Sequence, residues 1–261
     1  MSNCAGSHGV RSARWLYRLG LALAAVALSA LVLATGLALT SVDLRAPDLG
    51  ALIAACRAAL SPQLSWQALA VALLGSLSFA TFALGVRSVA RQGIQRRRYL
   101  RRLAVVDSLE VDGTTVFLFD DERPQAFCAQ LVRPRIYLST GALIALDDDE
   151  LRAVLAHERH HQQRRDPLRL LVARALGDGL FFLPVLRPLR QRYAELAEMA
   201  ADDAAVAATG NRSILASALL RFGERADPQV VVGIAPERVD HLLGEQASPT
   251  CVRSWRRRTW A

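Results

Sequence analysis

His157, Glu158 and His161 have the residue types and the spacing that a hydrolytic metal centre needs. On a helix, positions four apart lie one turn apart on the same face. The imidazoles of His157 and His161 can therefore converge on one metal ion. Glu158 stands about 100° round the helix from His157, near enough to reach a water on that metal without ligating it. His160 points elsewhere and is read as a bystander. The plain alternative is a solvated helix face, because Arg159, Gln162, Gln163, Arg164 and Arg165 surround the motif.

That alternative weakens once a third ligand is sought. A catalytic zinc usually has three protein ligands and keeps one position open. Downstream, a helical stretch from Tyr193 to Asp203 places Glu198 and Asp202 four residues apart, so that one face presents two carboxylates. Glu198 is the expected third ligand. Asp202 is expected to accept the remaining N–H of a ligand imidazole, that of His157, and so fix its tautomer. A solvated acidic face accounts for Glu195, but the Ala-rich surroundings of Glu198 and Asp202 read as buried, where unpaired carboxylates are costly. Glu195 is the rival ligand and lacks an acidic residue one turn later. Cys4, Cys56, Cys128 and Cys251 include no CxxC pair, which argues against a thiolate zinc site or a disulfide framework.

The elements that must carry these residues are marked in the chain. Asp147 is placed to cap the helix bearing His157, with Glu150 three residues on and Leu146 and Leu151 set for a hydrophobic staple. Before it, Thr115–Phe119, Ala126–Leu131 and Arg135–Ser139 read as short strands, the last two separated by Arg133-Pro134. The expected fold class is α+β and mostly helical: transmembrane helices followed by a small-sheet, zincin-like domain over residues 105–225.

The chain of 261 residues is 52% hydrophobic yet carries a net charge of +8, a pairing expected of a membrane protein with basic flanks. All the basic residues are Arg, which reads as the composition bias of a GC-rich bacterial genome. Residues 19–39 are uncharged and long enough to cross the roughly 30 Å hydrocarbon layer as a helix. A second uncharged run extends from Ala58 to Val86, with a span expected over 63–86. Arg11, Arg14 and Arg18 precede the first span, within a segment 1–18. Arg87, Arg91, Arg96, Arg97, Arg98, Arg101 and Arg102 follow the second, within a flank 87–104. Basic flanks stay inside, so the connection 40–62 is expected outside and the metal motif in the cytoplasm of a multi-pass membrane protein. A cleaved signal peptide is the competing reading of the first run, whose length exceeds the usual apolar core of such peptides. The Arg cluster directly follows a span, so a stop-transfer flank is expected and no nucleic-acid partner.

Leu168–Leu189 is apolar but interrupted by Arg169, Arg174, Asp178, Arg187, Pro184 and Pro188, so residues 168–189 are expected to be interfacial or re-entrant. The tail 226–261 ends in a basic, aromatic run compatible with the inner membrane surface.

The HExxH followed by ExxxD resembles the gluzincin peptidases. The stretch AFCAQLVRPRIYLSTGALIALDDDELRAVLAHERHHQQRRDPL is similar to the BlaR/MecR antirepressor-type membrane metallopeptidases, with the HtpX/Ste24-type membrane proteases as alternative relatives. The resemblance runs from about Val105 to Gly210. It implies a zinc endopeptidase with His157, His161 and Glu198 as ligands, Glu158 as catalytic base and Asp202 behind them. It also implies that the strand near Ala126–Leu131 pairs an extended substrate. Asp166-Pro167 matches the family pattern too, although a helix cap with Pro in the first turn explains it. The partners implied are a protein substrate, with a transcriptional repressor one candidate, and the lipid bilayer. The competing functions are membrane-protein quality control and a non-catalytic scaffold held by zinc.

Overall fold

The computed structural model describes residues 5–40, 66–111 and 113–224. The expected external connection, the first residues of the second span and the tail 226–261 lie outside the described residues. Two long helices come first, α1 (Ala5–Thr40) and α2 (Trp66–Arg102). Both contain stretches long and apolar enough to cross a membrane, Ser12–Thr40 and Leu69–Arg102. Among the described residues, large apolar side chains stand exposed on both helices: Val26 and Val32 of α1, and Phe79 and Phe82 of α2, which are 73% and 71% exposed. Between the helices, the Thr35 and Ser78 hydroxyls are hydrogen-bonded at 3.1 Å. Each helix runs beyond its apolar run. α2 continues through the Arg-rich flank without a break, since Arg is a good helix former and cations favour a helix C-terminus.

A four-stranded sheet follows: β1 (Val105–Val111), β2 (Thr114–Phe119), β3 (Ala126–Ala129) and β4 (Arg135–Ser139), in the order β1-β2-β4-β3. β1 pairs antiparallel with β2 across a turn where Gly113 adopts φ 71°, the left-handed region that glycine enters at no steric cost. β2 runs parallel to β4, and β3 antiparallel to β4, which leaves β3 at one edge. β1 was not anticipated. Its residues are exposed on both faces and lack the apolar alternation of a half-buried strand. The strand expected over 126–131 stops at Ala129, because Gln130 turns to φ 75°.

Five further helices complete the fold: α3 (Thr140–Ala145), α4 (Asp148–Arg164), α5 (Asp166–Gly179), α6 (Leu186–Thr209) and α7 (Arg212–Glu224). The main core joins one face of the sheet (Val116, Leu118, Ile136, Leu138) to Val154 and Leu155 of α4 and Ala218 of α7. The opposite face, with Phe119, Ala129 and Tyr137, receives Leu100 from the end of α2. The capping box at the start of α4 is formed in full: Asp147 accepts from the Glu150 N–H, and Glu150 accepts from the Asp147 N–H. Leu146 and Leu151 meet in the main core cluster.

α5 and α6 form a hairpin laid against the two long helices, α5 on α2 and α6 on α1. At its tip Leu180 and Leu186 bury against Ala24. A side chain at Gly179 would come within 3.1 Å of the Thr81 carbonyl oxygen, so the absent Cβ is what lets α5 approach α2 this closely. Asp178, an acid in an apolar stretch, accepts a 2.6 Å hydrogen bond from the Ser88 hydroxyl of α2.

Candidate metal centre

α4 presents His157 and His161 from adjacent turns, with ring centroids 4.8 Å apart and planes at 75°. Their Nε2 atoms are 3.1 Å apart. α6 crosses α4 at this level and brings Glu198 to both: its carboxylate oxygens lie 3.7 Å from His157 Nε2 and 3.6 Å from His161 Nε2. A tetrahedral ion with bonds of about 2.0–2.1 Å separates its ligand atoms by roughly 3.3–3.4 Å. The three separations bracket that value, so these side chains fit a small divalent cation, and the open side of Glu198 leaves a way in. Glu195 is not part of this group; it pairs with Arg192 at 2.8 Å on the surface.

Behind the cluster, each imidazole is held from its far nitrogen. Asp202, fully buried, sets Oδ1 3.0 Å from His157 Nδ1. Asp166, 1% exposed, sets Oδ2 2.9 Å from His161 Nδ1. With both Nδ1 atoms engaged by carboxylates, both Nε2 lone pairs face the shared point between the helices, which is how outer carboxylates orient metal-ligating histidines. Glu158 is buried at the same level.

The electrostatics favour positive charge at that point. Burial by itself would push the His157 imidazole down. Its hydrogen bonds to Asp202 and Glu198, with the charge of Glu158, overrule burial and take it up to about 10. A proton there stands where a bound cation would otherwise satisfy the carboxylates. Burial likewise works against an ionised Asp166, yet the hydrogen bonds from His161 and Tyr193 hold its carboxyl below the usual range. His160 is different: burial, then the neighbouring Arg164 and His161, push it down to about 4, so it stays neutral outside the cluster.

Asp166 matches the family pattern in the sequence, with a helix cap as the plain alternative; the residue at that cap is Arg165, at φ 53° and without a side-chain capping bond, while the Asp166 carboxylate turns back to His161. Tyr193, whose hydroxyl donates to Asp166 Oδ1 at 2.9 Å, carried no signal at all.

The edge strand β3 lies against α4, and Gln162 of α4 donates to the Pro134 carbonyl beyond it. Cys128 on this strand is pushed up to about 12 by burial and by the nearby carboxylates of Glu158 and Asp166, with Arg96 opposing. Among the described residues β3 is the edge strand of the sheet, and this edge runs beside the candidate centre.

A family model described as BlaR1 peptidase M56 matches residues 54–239, more than half of the chain. The match takes in α2, the sheet and every residue of the cluster. The chain is also similar to a Protease HtpX homolog of Acidiphilium cryptum (strain JF-5), at 30% identity over 200 residues, covering 61% of this chain and 70% of that protein. Among solved structures it is similar to Ste24p of S. mikatae at a TM-score of 0.36 and 15% identity, covering 65% of this chain. That alignment spans 61% of the Ste24p chain.

Proposed function

This chain belongs to the BlaR1 peptidase M56 family of membrane metallopeptidases, and from that premise we propose that it is a zinc-dependent endopeptidase that cuts cytoplasmic or membrane proteins at the membrane surface. The observation that carries the reading is the convergence of His157, His161 and Glu198 at separations of 3.1–3.7 Å, with Glu158 buried beside them.

His157, His161 and Glu198 would hold the metal. Zinc, when bound, supplies a Lewis acid that polarises the scissile carbonyl and lowers the pKa of the attacking water. Glu158 would take the proton of the attacking water on its carboxylate and pass it to the leaving amine. Asp202 and Asp166 would keep the two imidazoles in the tautomer whose Nε2 lone pair is left for a metal. The free edge of β3 offers backbone N–H and C=O groups along which an extended substrate can pair as an added strand.

The basic residues on the exposed ends of both long helices, Arg14 and Arg18 on one and Arg87 through Arg102 on the other, support a site on the cytoplasmic side. The finer form of the reading, regulated cleavage of a transcriptional repressor, is supported by the antirepressor likeness of the sequence around the motif. A scaffold held by zinc has no use for a buried general base at Glu158, and such closed structural sites ordinarily take four protein ligands.

The test is cleavage of casein by the detergent-solubilised protein, comparing wild type, Glu158→Gln and chelator-treated samples. Glu158→Gln is expected to lose about 10²–10⁴-fold in rate while retaining stoichiometric zinc. Equal cleavage by wild type and Glu158→Gln overturns the enzymatic reading. Zinc retained by Glu198→Ala but lost from Glu195→Ala overturns the ligand assignment.

A further inference from the structure

We propose that Tyr193 is a positioning residue for the metal centre, acting on His161 through Asp166; this rests on the zinc reading above. Tyr193 is 1% exposed, and its hydroxyl donates to Asp166 Oδ1 at 2.9 Å while Asp166 Oδ2 takes the His161 N–H at 2.9 Å. The three groups form one buried line from α6 through the first residue of α5 to the ligand on α4. Asp166 thus has one oxygen committed to the ligand and the other anchored by the phenol.

The rest of the tyrosine is held from the other side. Its ring lies on Tyr17 of α1, with centroids 5.2 Å apart, in a cluster with Ala13 and Ala197, and the Arg169 guanidinium sits 5.8 Å over the Tyr17 ring. The phenol oxygen cannot drift without moving a ring wedged between α1 and α6. α6 therefore contributes to the centre twice: directly through Glu198, and through Tyr193, on a different face of the helix, by way of Asp166.

A buried carboxylate that loses one donor keeps its desolvation cost and gains rotational freedom. Without the Tyr193 hydroxyl, Asp166 Oδ1 is left facing only the Arg164 guanidinium at 4.0 Å, a looser hold, so the carboxylate and the imidazole hydrogen-bonded to it are positioned less tightly. Partners behind a metal ligand typically contribute about 10–100-fold in metal affinity. A group one bond further out belongs at the lower end of that range.

The experiment measures zinc affinity by chelator competition on the full-length protein in detergent, for wild type, Tyr193→Phe and Tyr17→Leu, with thermal melts of the metal-free forms. Tyr193→Phe keeps the ring and removes only the hydroxyl. It is expected to weaken zinc binding about 10-fold, to leave the metal-free melting midpoint near wild type, and to recover cleavage when zinc is supplied in excess. Tyr17→Leu removes the ring contact but not the hydroxyl, so it should lower the melting midpoint more than it changes zinc affinity. An unchanged zinc constant in Tyr193→Phe overturns the proposal. So does a Tyr17→Leu variant that loses zinc affinity to the same extent, because packing and not the hydroxyl would then be responsible. A wild-type protein that takes up no zinc sinks the metal reading itself, an outcome distinct from either of these.

Discussion

Asp202 Oδ1 and His157 Nδ1 lie 3.0 Å apart, one helical turn beyond the Glu198 carboxylate on the same helix. Asp202 is completely buried, and a carboxylate taken out of water this way must be balanced by a partner. His157 is that partner, and through it Asp202 fixes which ring nitrogen faces Glu198. Asp202→Asn preserves volume but replaces the anion with a neutral amide. Zinc affinity should fall about 10–100-fold, measured by chelator competition. Wild-type affinity in Asp202→Asn would show that His157 is oriented by something else.

The tip of the α5–α6 hairpin meets both long helices at matching depths. Ala24 lies about six residues past Arg18, and Thr81 about six before Arg87, each roughly 9 Å of helix inside the basic boundary. Phe181 and Phe182 are exposed at this tip. A spin label introduced by Phe181→Cys, in a background without the native cysteines, should be accessible to oxygen and shielded from a water-soluble nickel chelate in bilayers. Ready access by the chelate would put the tip in water and leave the hairpin interfacial.

Gly141, the second residue of α3, sits under a tight steric limit directly after β4. A Cβ at this position would sit 2.1 Å from the Glu122 carbonyl oxygen, while the Gly141 N–H donates to Asp121 at 2.9 Å. The opposing atom is backbone and cannot swing away. Gly141→Ala should cost about 1–3 kcal/mol of stability, read as a lowered unfolding midpoint in denaturant. An unchanged midpoint would mean that the 120–124 loop yields freely.

Burial, together with the Glu158 and Asp166 carboxylates, holds the Cys128 thiol up to about 12. Thiol reactivity follows the thiolate fraction, so at pH 8 Cys128 should resist iodoacetamide in the folded protein and react after unfolding. Peptide mass spectrometry distinguishes it from the other cysteines. Glu158→Gln removes one of the two nearby negative charges and should speed alkylation modestly. Rapid alkylation of the folded wild type would contradict the enclosure of β3 against α4.

What the sequence determined by itself is what short-range geometry controls. His157 and His161 share a helix face because four residues make about one turn, and the Asp147–Glu150 capping box closes within three residues. The apolar runs of α1 and α2 are legible for the same reason, as is the one-turn spacing of Glu198 and Asp202 on one helix. The tertiary structure decided whatever depends on partners distant in sequence. Asp166 faces His161 only because Arg165 adopts φ 53° and folds α5 back from α4, and Tyr193 reaches Asp166 only because α6 stacks beside both. β1 becomes a strand by pairing with β2, without any apolar alternation of its own. Asp178 is tolerated in an apolar hairpin because Ser88, 90 residues away along the chain, donates to it. A hydrogen bond between distant segments leaves no periodicity in the sequence, so the residues that hold the two imidazoles in place become visible only when the helices are packed together.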